Sequence, residues 1–117
     1  MREKKNKFNA KKIEFRGMIF DSKKELERFL FLKDRESKGI IEALERQIEF
    51  ELIPENKYYK AVRYIADFRY IWKLSDGSKG LEYIEDVKGL KKGSAYQVFK
   101  IKQKLMYDKF KILVKEI

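Results

Sequence analysis

The segment Tyr64-Ile65-Ala66-Asp67-Phe68-Arg69-Tyr70-Ile71-Trp72, the turn Asp76-Gly77-Ser78-Lys79-Gly80 and the run 81–88, ending Glu85-Asp86-Val87-Lys88, decide how this chain folds. β-branched and aromatic residues crowd the first part, as they do in strands. The Asp-Gly pair marks a turn, so the two runs are predicted to close an antiparallel hairpin. Residues two apart in a strand share a face, which puts Asp86 and Lys88 on one surface while Val87 packs behind. With an even-numbered loop, Asp67 falls opposite either Asp86 or Lys88. Cross-strand neighbours lie about 4.5–5.5 Å apart at Cβ, and two like charges held that close destabilise the pair unless a cation lies between them. A divalent metal with a lysine beside it meets that need.

Working outward, Ser22 and Glu25 have capping-box spacing, and Leu26, Phe29, Leu30 and Lys33 follow at helical intervals. A helix is therefore predicted from Asp21-Ser22 to a stop at Gly39. Before it, Ile13-Glu14-Phe15 and Met18-Ile19-Phe20 flank Arg16-Gly17 and read as a small hairpin. Residues 1–12 read as a flexible basic arm. After the helix, 40–53 is strand-like up to Pro54, and 55–59 is a polar loop. Beyond the main hairpin, 89–93 is a basic, glycine-bounded loop. Ser94 and Gln97 repeat the capping-box spacing and open a second helix, with Val98, Ile101 and Leu105 on its buried side. Phe110, Ile112 and Val114 alternate with lysines in a final strand. The order helix, three strands, helix, strand implies an α/β or α+β domain with helices packed on one sheet, spanning 13–117.

With 117 residues, 44% hydrophobic, the chain suits one domain with one core. No run is long and apolar enough to be a transmembrane helix, and the lysine-rich start lacks the apolar stretch of a signal peptide, so a soluble cytoplasmic protein is expected. Cysteine and histidine are both absent. That removes disulfides, thiolate zinc sites, Ser-His triads and His-ligated metals. Any metal must be held by oxygen, which points to magnesium, manganese or calcium. The net charge is +10, and it is unevenly spread: six basic and one acidic residue in 1–12, nine and two in 88–117, fourteen and sixteen between them. Basic flanks on a near-neutral body suit a polyanion-binding protein, although lysine-rich solvated surfaces are also common.

Phosphodiester hydrolysis needs charge stabilisation on the phosphoryl oxygens, an activated water and help for the leaving oxygen. Carboxylate-held magnesium and a nearby lysine supply these. Asp67, Asp86 and Lys88 form that minimum set, and the Val87 carbonyl is a further candidate ligand. Glu25, seven residues before Leu32, borders the buried stripe of the first helix and is the candidate third carboxylate.

Asp67, a spacer of eighteen, then Asp86-Val87-Lys88 resembles the PD-(D/E)xK nuclease signature, and the order of elements resembles that superfamily's core. More closely, Phe20-Asp21-Ser22-Lys23-Lys24-Glu25, Tyr64-Ile65-Ala66-Asp67-Phe68 and Glu85-Asp86-Val87-Lys88-Gly89 resemble a family of small phage and prophage proteins long known only as a domain of unknown function. The resemblance covers nearly the whole chain. It implies a restriction-endonuclease-like αβββαβ core with a central mixed sheet, and a Mg²⁺-dependent (or Mn²⁺-dependent) endonuclease acting on DNA. Asp67 and Asp86 would bind the metal, Glu25 would complete the site, Lys88 would be catalytic, and Gln47 would be accessory. By analogy with Holliday junction resolvases, the substrate would be branched or structured DNA and the protein a homodimer. RNA remains open as a substrate. No proline precedes Asp67, unlike the motif's name. A one-residue slip would exchange Asp86 for Glu85, but period two favours Asp86, because Glu85 would face away from Lys88. Lys11, Lys12, Lys91, Lys92, Lys100 and Lys104 are candidate phosphate contacts as a group. The rival readings are a DNA-binding module that keeps the acids as structure, and an interaction protein of a phage replication or packaging complex.

Overall fold

The computed structural model describes the backbone of residues 2–5 and the whole of residues 11–117. Two strands, β2 (Lys11–Phe15) and β3 (Met18–Phe20), close around Arg16-Gly17, whose φ values are 50° and 80°. Two successive positive φ angles make the hairpin turn that follows the natural strand twist, and glycine accepts one of them without a Cβ penalty. A further strand, β1 (Arg2–Lys5), pairs antiparallel with β2. The segment expected to be a flexible arm therefore contributes a strand. The open edge of β2 offers unpaired backbone groups that an extended neighbour can satisfy. Met1 and residues 6–10, also part of that expected arm, lie outside the described residues.

Helix α1 (Lys23–Ser37) begins where the sequence indicates. Ser22 Oγ accepts from the Glu25 amide at 3.1 Å, while Glu25 Oε2 accepts from the Asp21 amide at 2.9 Å, one residue earlier than a standard capping box. Its Leu26, Phe29 and Leu32 pack with Ile13, Phe20, Ile41, Phe68 and Tyr70 in one core cluster. Burying each such side chain contributes roughly 1.5–3 kcal/mol.

Strands β4 (Ile41–Ile53), β5 (Val62–Lys73) and β6 (Lys79–Asp86) form an antiparallel meander, and β7 (Val114–Glu116) joins parallel to β6. The result is a mixed four-stranded sheet in an α/β fold of order αβββαβ, preceded by the small hairpin. Near the β5–β6 turn, a Cβ on Gly80 would stand 2.6 Å from the Trp72 carbonyl oxygen. Only glycine permits that approach, which accompanies a register shift between Ile71 and Lys73. The shift sets the pairing Phe68↔Glu85 and settles which residue faces Asp67.

Helix α2 (Ser94–Phe110) corrects three expectations. Its N-cap is Gly93, and no side chain caps it, so Ser94 is the first helical residue and makes no capping box with Gln97. Its buried residues are Phe99 and Met106, whereas Val98 and Ile101 are about half exposed. Apolar positions 98, 99, 101, 105 and 106 allow two stripes one residue apart, and the helix turns the stripe of Phe99 and Met106 inward. Phe110, expected in the last strand, ends the helix with its ring 5.7 Å from that of Phe50. The helix closes at Lys111, in the left-handed conformation with its amide donating to the Tyr107 carbonyl, and strand pairing starts only at Val114.

Tyr64, Ala66, Phe68 and Tyr70 of β5 are all buried, the first two with α2's cluster and the last two with α1's. β5 thus runs between two packing centres, and Asp67 lies at their junction. Among the described residues, no helix is long and apolar enough to cross a membrane.

Candidate active site

Phe68 pairs with Arg46 on one side and with Glu85 on the other. One residue further along, Gln47, Asp67 and Asp86 therefore form a row across three strands. Lys88, two beyond Asp86, places Nζ 3.0 Å from Asp86 Oδ1. These four residues line a cleft of about 460 Å³ with Glu25, Val87 and Tyr64. Of the two alignments open to Asp67, the structure selects Asp86, and it brings every expected acid together with Lys88.

Each acid is held differently. Asp67 Oδ2 accepts from the Val87 amide at 2.8 Å, and its Oδ1 is 3.4 Å from Gln47 Nε2. Burial, followed by the negative charges of Asp86 and Glu25, pushes the Asp67 carboxyl up to about 7, and the Val87 N–H only partly offsets this. Glu25 is 2% exposed, with Gln47 Nε2 at 3.3 Å and Arg46 Nη2 at 3.6 Å from its Oε1. Burial also raises its carboxyl above the usual range, against the lowering effect of the Asp21 amide. Asp86 is 5% exposed and accepts from the Tyr64 hydroxyl as well as from Lys88. Burial and the Asp86 charge hold the Tyr64 phenol protonated far above its ordinary range. The Lys88 ammonium also sits 4.0 Å from the centre of the Phe99 ring.

Gln47 reaches two acids through an unusual backbone. Its φ is 55°, in a strand, where non-glycine residues rarely adopt positive values. Such strain persists only where the surroundings impose it, and it collects at functional sites.

The donor set suits a hard cation: three carboxylates and no histidine or thiol, with Asp67 and Glu25 both raised by burial and neighbouring negative charge. Among the described residues, no group of three or more acids stands ready to hold a metal ion as placed. Protein donors occupy the acids instead.

The expected phosphate contacts divide. Lys12 Nζ bonds Asp21 Oδ1, on the cleft wall, at 3.0 Å, and Lys11 is exposed on the same strand. Lys91 and Lys92 are exposed in the loop before α2. Lys100 and Lys104 face away from the cleft. Lys100 pairs with Glu116 at 2.9 Å, and Lys104 lines a separate hollow with Tyr107 and Leu113. Lys102, two residues from each, lines the cleft with Val98 and Phe99. Residues two apart on a helix point about 200° apart, so the apolar stripe that packs inward also decides which lysines line the cleft. Arg63, Tyr64 and Lys102 are cleft residues that the sequence reading did not single out. Recognising Phe99 as the buried position would have found Lys102.

The fold and site together define a small α/β protein with an acid-rich cleft at one end of a mixed sheet. A family model matches residues 5–116, and the chain belongs to the family described as "Protein of unknown function (DUF1064)". No curated protein and no solved structure matches it.

Proposed function

We propose that the protein is a metal-dependent endonuclease of the PD-(D/E)xK type that hydrolyses phosphodiester bonds in DNA. The observation that carries this reading is the convergence of Asp67, Asp86, Glu25 and Lys88 on one cleft, with the Asp67 carboxyl raised to about 7. Asp67, Asp86 and Glu25 would hold magnesium or manganese, with the Val87 carbonyl as a further candidate ligand. When bound, the ion supplies charge neutralisation at the phosphoryl oxygens and a more acidic water. Lys88 orients the water and offsets charge on the phosphoryl group, and Asp86 fixes the ammonium at 3.0 Å. Gln47 keeps Glu25 and Asp67 in reach of one another. Lys102, Arg63 and the Lys12 edge hold the DNA backbone through charge, without base reading. Branched DNA and a homodimer that makes paired nicks complete the proposal.

One observation favours a second reading. Both Asp86 oxygens already have protein partners, Tyr64 and Lys88, as they would in a DNA-binding module that keeps its acids as structure. The deciding assay incubates labelled four-way junction, flap and linear duplex with the protein and magnesium, beside Asp86→Ala. Magnesium-dependent cleavage lost in the variant is expected. Binding without cleavage of any substrate, in magnesium or manganese, would leave the module.

A further inference from the structure

At the tip of the β4–β5 hairpin, Tyr58 and Tyr59 are 73% and 75% exposed, more than any aromatic residue of the sheet or helices. A loose loop would let such rings fold back onto apolar surface, but this loop is tied. Asn56 Oδ1 accepts from the Tyr58 and Tyr59 amides at 2.8 and 2.9 Å, and the Asn56 amide donates to the Tyr59 carbonyl at 3.0 Å. The two rings stand 6.4 Å apart, tilted by 53°, with the Lys57 ammonium 5.0 Å from the Tyr58 centroid. A hollow of about 290 Å³ lies among residues 55–60.

The tip is connected to the cleft. Exposed Lys60 and Arg63 follow it in the chain, and Arg63 is already a cleft-wall residue. At roughly 3.3 Å per strand residue, Tyr59 is at most about 26 Å from Asp67. That is less than one turn of duplex DNA, about 34 Å. Solvent-facing rings on a hydrogen-bonded loop, with the Lys57 ammonium at one of them and a chain of net charge +10, fit a partner that offers flat π-faces on an anionic backbone.

We infer that the Tyr58–Tyr59 tip is a base-stacking platform that engages unpaired bases of the nucleic acid whose backbone occupies the cleft. This rests on the proposed function for the strand in the cleft, but it adds the feature recognised there: bases free of a duplex stack.

The test measures binding with EDTA present, so that cleavage plays no part. Wild type, Tyr58→Ala/Tyr59→Ala and Tyr58→Phe/Tyr59→Phe are titrated against a flap with single-stranded bases and against a fully paired duplex capped at its ends by a non-nucleotide linker. Losing one stacked base corresponds to roughly 5- to 150-fold weaker binding. A loss of that size on the flap for the alanine pair, an unchanged affinity for the capped duplex and retention by the phenylalanine pair are expected. An equal loss on both substrates, or none on either, overturns the platform. So does a shift of wild type, but not the alanine pair, to a dimer in sedimentation, which would make the tip a protein contact. Circular dichroism melts show that the alanine pair is folded. If wild-type protein binds the flap selectively yet cuts nothing in magnesium, the nuclease reading fails and the platform stands. Cutting without the flap preference gives the reverse result.

Discussion

Glu85 and Asp86 are consecutive carboxylates, both 5% exposed or less, yet they face opposite sides of β6 and live in opposite electrostatic worlds. Glu85 receives two hydrogen bonds from Arg28, at 2.8 and 2.6 Å, and a third from the Tyr70 hydroxyl. Its charge is matched in full by a forked guanidinium, and that pairing raises the Arg28 pKa. Asp86 instead shares its cleft with Asp67 and Glu25, and Lys88 is its paired cation. Burial alone therefore does not set these two acids apart. The balance of charge around each does: Glu85 is compensated within the fold, whereas the Asp86 side carries acid in excess.

The sharpest way to break this contrast is to remove Lys88. Lys88→Ala is expected to slow DNA cleavage by about 10²–10³-fold while weakening DNA binding only slightly. An equal loss in turnover and affinity would make Lys88 a phosphate clamp. On the other side of the strand, Arg28→Ala leaves Glu85 buried without its cation and should destabilise the protein by about 3 kcal/mol in urea titration. Asp86→Asn should change stability far less, and similar losses for the two would mean that both acids are equally compensated within the fold.

A smaller effect concerns pH. Burial and the charges of Asp86 and Glu25 push the folded Asp67 carboxyl up to about 7, from its ordinary value near 4. The folded state thus holds that proton more tightly, so the contribution is complete below pH 4 and is lost as pH rises to 7. Without divalent metal, stability should fall between pH 5 and 8 by about 1–2 kcal/mol, after allowance for solvent screening at a half-buried group. Asp67→Asn should flatten that slope, and magnesium should raise the melting temperature more at pH 8 than at pH 5. A flat wild-type profile would show that Asp67 carries no excess charge. The smallest effect is at Gln47. Glycine there should be about 1 kcal/mol more stable than alanine, because it relieves a left-handed residue. Both variants should cut more slowly than wild type, whereas full activity in either would remove Gln47 from the site.

Local pattern was enough for much of this. The Asp76-Gly77 turn, the period-two runs and the Ser22 cap made the two long strands, α1 and the order of elements legible, because strand and cap chemistry act over a few residues. The choice of Asp86 over Glu85 followed from the same alternation. The second helix was harder, since its two apolar stripes differ by one residue and only contact with the sheet chooses between them. That choice placed Lys102 in the cleft and turned Lys100 and Lys104 away.

The sequence by itself determined which residue types could act: oxygen ligands, one adjacent amine and basic flanks, with no histidine or thiol. Tertiary structure alone decided how those groups meet. The hairpin shift at Ile71 and Lys73 set Asp67 beside Asp86, the strained Gln47 backbone tied Asp67 to Glu25, and Arg28 neutralised Glu85 on the opposite face. Charge balance is a sum over neighbours distant in the chain, and only folding determines which neighbours those are.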